Sequence, residues 1–171
     1  MKVSDLNTTE YSAYYSTYIN ILEEEDLIED LEISLHQFIK FVQNIPMDKF
    51  DFRYEEGKWT IKDIIQHLID CERVFAYRAL RISRNDSTAL PGFDENQYVA
   101  STDANSRGIQ NMLAELSAVR FSTLYLFKSF NNHQLENVGT ASDCQVSVRA
   151  LGFLIIGHQK HHQKIFKERY L

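Results

Sequence analysis

Apolar residues along this chain recur mainly at three- and four-residue steps, while the two-residue alternation of a half-buried strand never holds for long. Over residues 24–43, Leu27, Ile28, Leu31, Leu35, Phe38, Ile39 and Val42 draw one apolar stripe along a helix that Pro46 ends. Upstream, Tyr11, Tyr14, Tyr15, Tyr18, Ile19 and Leu22 fit either a short helix or an extended arm packed on the rest. A second helix is predicted to open at Thr60. Its hydroxyl accepts from free backbone N–H groups, Asp63 three residues on completes a capping box, and Trp59 packs back on the first turns. Ile64, Ile65, Leu68, Ile69, Cys71, Phe75, Ala79 and Ile82 carry its apolar face to residue 84, a rod about 36 Å long.

Residues 85–102 lose this period, and Pro91-Gly92 marks a turn within them. A loop of that length inside a domain usually has a crossover or functional role. A third helix is predicted over 106–130, with Ile109, Leu113, Leu116, Val119, Thr123, Leu124 and Phe127 inside. The polar stretch 131–146 reads as loop, and a fourth helix over 147–170 carries Leu151, Leu154, Ile155, Ile165 and Phe166. Four amphipathic helices joined by irregular loops predict an all-α four-helix bundle. With 171 residues and 44% apolar content the chain reads as a single domain spanning 1–171 with a full core, not a disordered or fibrous chain.

Charge narrows the partners. With 18 Lys and Arg against 24 Asp and Glu the formal charge is −6, which offers no general attraction to phosphate backbones or anionic lipid. Two cysteines, Cys71 and Cys144, make no disulfide framework and no CxxC motif. The first residues lack the apolar core of a signal peptide, and no apolar run approaches a membrane span. These readings predict a cytoplasmic protein that engages neither nucleic acid nor membrane.

Histidine is the unusual component: six are present, and three of them, His158, His161 and His162, fall within five residues. His158 and His162 are four apart, so on a helix they share a face, here the one bearing Leu151, Leu154, Ile155 and Ile165. His67 has the same setting on the second helix, between Ile64 and Cys71. If the second and fourth helices run antiparallel, the three rings lie within one or two turns of a common level; if parallel, they lie at different depths. A crossover between helices two and three makes them antiparallel, and the 85–102 loop sits where that crossover is needed. Three neutral imidazoles match the catalytic form of a zinc site, in which further positions stay open, and imidazole also suits nickel, iron and copper.

Neighbouring residues admit plainer roles beside functional ones. Asp63, one turn before His67, either orients its ring from outside the ligand set or caps the helix. His161, about 100° around the helix from His162, reads as an outer-shell or surface residue, and His36 and His133 as ordinary ones. Cys71 is either a thiol close to the metal or an inert buried cysteine. Asp70, Glu72 and Arg73 read as a solvated or interhelical charge network, Gln66, Gln159 and Gln163 as the rim, and Trp59, Tyr98 and Arg78 as pocket wall or packing residues. No GxSxG nucleophile motif and no Gly-rich phosphate loop is present.

The segments KWTIKDIIQHLIDCERVFAYRALR, LPGFDENQYV and GHQKHHQKIFKERYL, spanning residues 54–171, together resemble the DinB-like superfamily of damage-inducible proteins. That resemblance implies an up-down-down-up bundle with a long crossover between helices two and three, frequent homodimers, and a divalent metal, zinc or nickel, held by residues that carry over to His67, His158 and His162. It also implies small-molecule chemistry. Some relatives transfer low-molecular-weight thiols or isomerise substrates with a thiol cofactor, and others are described as metal-dependent hydrolases. The expectation is a metal-dependent enzyme with S-transferase-like or hydrolase-like activity on a small molecule. The alternative is a non-enzymatic, stress-related, metal-binding dimeric module.

Overall fold

The computed structural model describes residues 1–171. Three single 3-10 turns lead into a one-turn helix, α1 (Ser16–Ile19). The long helices are α2 (Leu27–Gln43), α3 (Ile61–Ser83), α5 (Ile109–Lys128) and α7 (Val148–Ile165). Between them lie the short α4 (Glu95–Ala100) and α6 (Asn132–Glu136), and α7 ends in a π-helical turn, Phe166–Tyr170. Each long helix lies within its predicted span: α2 ends at Gln43 as predicted, α3 differs by one residue at each end, and the π-helical turn carries α7 to Tyr170.

Local chemistry sets the helix starts. The Asp26 carboxylate accepts from the Ile28 and Glu29 N–H groups ahead of α2, and the Ser147 hydroxyl accepts from Ala150 N–H ahead of α7. At α3 the predicted capping box is present: Thr60 Oγ1 accepts from Asp63 N–H at 3.0 Å, and Asp63 Oδ2 accepts from Thr60 N–H at 2.9 Å.

Contacts between elements establish the helix directions. On α2 and α7, residue 27 meets 152, 34 meets 159, and 38 meets 166, so these two run parallel. On α3 and α5, 66 meets 107 and 73 meets 115, so they too are parallel. Helices α3 and α7 are antiparallel, because Tyr170 donates to the Trp59 carbonyl at one end while Asn137, ahead of α7, reaches the Ile82 carbonyl at the other. The order is therefore up-down-down-up, with residues 84–108 making the crossover.

Two departures from the sequence reading are instructive. The polar stretch 131–146 is not simply loop. It contains α6 and a hairpin, β1 (Val138–Ala141) and β2 (Cys144–Ser147), with Val138 opposite Ser147 and Ala141 opposite Cys144. Ser142 and Asp143 turn it with φ of 51° and 59°, a left-handed pair that prefers Asn-Gly, so the usual hairpin signal is missing. Leu90 of the crossover adds a rung, its N–H donating to Thr140 O at 2.9 Å and its carbonyl accepting from Ser142 N–H at 3.0 Å. The N-terminal segment is an arm of turns and α1 that packs on α7. A Cβ on Gly157 would meet the Tyr18 carbonyl oxygen at 2.2 Å, so glycine is what lets the arm lie beside His158.

The core falls into two apolar clusters, one around Phe127 and Phe153 and one around Phe38 and Phe166. A buried polar layer crosses the bundle as well. Arg120 pairs bidentately with Glu72 at 2.8 and 2.9 Å and donates to Leu31 O, Ser34 Oγ and Gln159 Oε1, while Gln159 donates to Ser34 O. Four helices meet on one guanidinium. Glu72 is thus interhelical and dry, and Gln159 belongs to this clamp, not to a rim.

Candidate metal centre

The antiparallel pairing of α3 and α7 brings the predicted histidines together. His158 Nε2 lies 3.0 Å from His67 Nε2 and 3.1 Å from His162 Nε2, and the three ring centroids are 4.7 to 5.1 Å apart. All three rings are buried. Burial holds His67 down to about pKa 4, and burial with the neighbouring imidazoles holds His158 and His162 well below the ordinary histidine value. The rings are therefore neutral at physiological pH, the form in which a nitrogen lone pair is free.

Hydrogen bonding alone leaves this trio frustrated. A ring nitrogen has one in-plane site, either a proton or a lone pair, yet His158 Nε2 faces two other nitrogens at hydrogen-bond distance. At least one of those contacts goes unmade, and His162 Nδ1 is buried with no partner. A cation among the nitrogens removes the conflict, so the donor set fits a divalent ion.

The surroundings restrain the rings. Trp59 packs on His67 at 4.9 Å between centroids, and Tyr18 meets His158 edge-on at 5.1 Å. Cys71 Sγ lies 3.5 Å from His67 Nδ1, and the donor atoms of His67, Cys71 and His158 all fall within 4.8 Å of one another. Burial, with Glu95 and Asp70 nearby, pushes the thiol well above its usual range, so it keeps its proton.

Two cavities flank the centre. One, of about 270 Å³, reaches His158 and Cys71 and is walled by Tyr15, Phe75 and Arg78. The other, of about 290 Å³, reaches His162 and is walled by Trp59 and Tyr170. Glu95 lines the first and Asn96 the second, so the first turn of α4 lies between them. Burial, and then Asp94 beside it, raises the Glu95 carboxyl.

The structure separates the roles that the sequence leaves open for the neighbouring residues. Asp63 does not orient His67: its carboxylate accepts from Thr60 N–H and from Asn105 Nδ2 at 2.8 Å and pairs with Arg53 at 3.2 Å. An acid at the third helical position is drawn back to the free N–H groups of the cap, away from a ring one turn on. His161 is half-buried against Tyr18 with no hydrogen bond to the trio, and His36 and His133 are exposed. Gln66 joins Asp70 and Arg107, Gln163 lines neither cavity, and Tyr98 sits outside against Phe93. Trp59 and Arg78 do line cavities. Glu95, Tyr18 and Arg120 were not singled out from sequence. Glu95 had one available signal, an acid in the aperiodic 85–102 stretch.

Known proteins are similar to this chain in sequence and in fold. The chain is 24% identical over 144 residues to a Bacillus licheniformis protein named "Putative metal-dependent hydrolase", covering 82% of this chain and 81% of that one. It is 22% identical over 140 residues to "Putative metal-dependent hydrolase YfiT" of Bacillus subtilis, covering 80% and 76%. A solved YfiT structure, described as "a probable metal-dependent hydrolase with an unusual four-helix bundle topology", superposes with a TM-score of 0.75 at 19% identity over 83% of this chain and 82% of that chain. With residues 30–166 matching the family and the same bundle observed, this chain belongs to the DinB superfamily.

Proposed function

We propose that the protein is a metal-dependent enzyme in which His67, His158 and His162 hold a divalent ion, zinc or nickel, and a small molecule entering the first cavity is hydrolysed beside it. The observation that carries this reading is the double contact at His158 Nε2, which hydrogen bonding cannot satisfy. The names of the relatives support the hydrolytic version. A divalent ion at this position supplies Lewis acidity and activates a nucleophile at neutral pH.

The chain's own groups do the rest. With Nε2 of His67 directed into the centre, its ring proton resides on Nδ1, and Cys71 Sγ, 3.5 Å from Nδ1 and 3.7 Å from Nε2, packs against the ring and restrains it by contact. Phe75 beside His158 limits water. Glu95, which lines the first cavity with His158 and whose carboxyl burial raises, takes a proton from the nucleophile and returns it to the leaving group. The same centre supports a second chemistry, transfer of a low-molecular-weight thiol. The first cavity, at about 270 Å³, holds far more than a water, whose share of liquid volume is about 30 Å³.

Metal analysis of purified wild type against His67→Ala and His158→Ala tests the centre. Bound ion in wild type and its loss in both variants is expected, and equal metal content in all three overturns the site. Metal-loaded protein is then assayed on ester and amide panels, and on thiol-plus-electrophile pairs, with chelator controls. Chelator-sensitive ester or amide cleavage supports the hydrolase, conjugation supports thiol transfer, and inactivity with metal in place supports the stress-related binding module.

A further inference from the structure

Two arginines are buried, and their partners differ. Arg120, 1% exposed, is neutralised by Glu72. Arg78, 2% exposed, has no carboxylate partner. Its Nη2 donates to the Pro91 carbonyl at 2.9 Å and to Ser142 Oγ at 2.8 Å, and the neutral Tyr15 hydroxyl lies near the guanidinium. The guanidinium lies over the Phe93 ring at 5.9 Å and lines the first cavity. A buried charge without a counterion is costly to keep, and structures normally pair it. Cys71, Phe75 and Arg78 fall on one face of α3 over about 10 Å of helix rise, so the cavity runs from the histidine centre along an aromatic wall to the guanidinium.

We propose that Arg78 anchors the substrate: a free N–H of its guanidinium, on Nε or Nη1, donates to a carboxylate of the entering molecule, whose apolar body lies against Phe75 and Phe93 and whose reactive end reaches His158. This rests on the enzymatic reading above and narrows it to carboxylate-bearing small molecules. With both Nη2 protons engaged, Nε–H or an Nη1–H supplies a charge-assisted hydrogen bond to one carboxylate oxygen. One carboxylate supplies the counterion that this buried guanidinium lacks. The two bonds on Nη2 tie the crossover at Pro91 to the hairpin at Ser142, so they fix the guanidinium in place and leave Nε–H and the Nη1 protons for the ligand.

The test is calorimetric binding of phenylacetate and hexanoate against the neutral isosteres phenylacetamide and hexanamide, with metal-loaded and with chelated wild-type protein. The acids are expected to bind about tenfold tighter than the amides in both forms, since a charge-assisted hydrogen bond to the guanidinium is stronger than the one a neutral amide makes. Arg78→Gln should remove the preference with metal content unchanged, and Arg78→Lys should retain part of it. Equal binding of acid and amide, no binding of any of the four, or a preference that survives in Arg78→Gln overturns the proposal. A preference that vanishes on chelation places the carboxylate on the metal instead: the Arg78 assignment fails while the metal centre stands. Conversely, unchanged metal content in His67→Ala removes the metal reading and leaves the acid-over-amide comparison intact, which needs no variant.

Discussion

At the scale of single residues, Arg120 and the histidine trio illustrate opposite solutions to burying polar groups. Arg120 is satisfied in full: Glu72 takes two donors, and Leu31, Ser34 and Gln159 take the rest. Replacing Glu72 with Gln leaves the guanidinium uncompensated and is expected to lower unfolding stability by about 3–5 kcal/mol, read from urea titration. Arg120→Met with Glu72→Leu should recover much of that loss, because removing both charges removes the desolvation penalty. The imidazoles, by contrast, stay unsatisfied at His162 Nδ1 and doubly approached at His158 Nε2. Zinc or nickel added to chelated protein should therefore raise Tm, as any ligand of the folded state does, and His162→Ala should abolish that shift. None of the Arg120 clamp was legible in the sequence. Its four partner residues lie 39 to 89 positions away, and no local period links them.

At the scale of elements, helices were readable where they bury one face. The three- and four-residue steps of α2, α3 and α7 and the Thr60–Asp63 box predicted spans that the fold contains. The hairpin escaped because its strands are four residues each and its turn uses Ser142 and Asp143 in place of the residues that favour positive φ. Asp63 escaped in a different way. Both of its candidate roles fit the spacing, and only Asn105 and Arg53, brought in from other segments, show that its oxygens are consumed at the cap. Thr60→Ala should cost about 1 kcal/mol in thermal or urea unfolding. Gly157→Ala should cost about 1–3 kcal/mol, because a methyl group there meets the Tyr18 carbonyl and pushes the arm off α7. Faster proteolysis within residues 1–20 would report that displacement separately from global unfolding.

At the scale of the whole molecule, the arm, the crossover and the hairpin close one end of the bundle around the first cavity. Arg149 of α7 holds Glu10 of the arm through two hydrogen bonds at 2.6 and 2.7 Å. Burial alone would raise the Glu10 carboxyl, but hydrogen bonds from Arg149, Asn7 and Ser147 outweigh it and hold the carboxyl below its ordinary 4.5. A carboxyl whose folded pKa is depressed contributes stability in full above its unfolded value, and that contribution disappears as pH falls through the folded one. Wild type should therefore lose stability on acidification below about pH 5. Glu10→Gln should be less stable than wild type at neutral pH, with the gap narrowing in acid, measured by urea unfolding across that range. No helix is long and apolar enough to cross a membrane.

The amino-acid sequence by itself determined the helices and the shared face of His158 and His162, because helical period and capping are local: a residue three or four positions away is a neighbour in any fold that makes the helix. It also supplied a conditional, that His67 joins the pair only if α3 and α7 run antiparallel. The tertiary structure decided the rest. It set that pairing, the Arg120 clamp, the protonated Cys71 beside His67, and the cavity where Arg78 and Glu95 face the histidines. These depend on which distant segments become adjacent and on how much water their packing removes, and neither is encoded in the spacing of nearby residues.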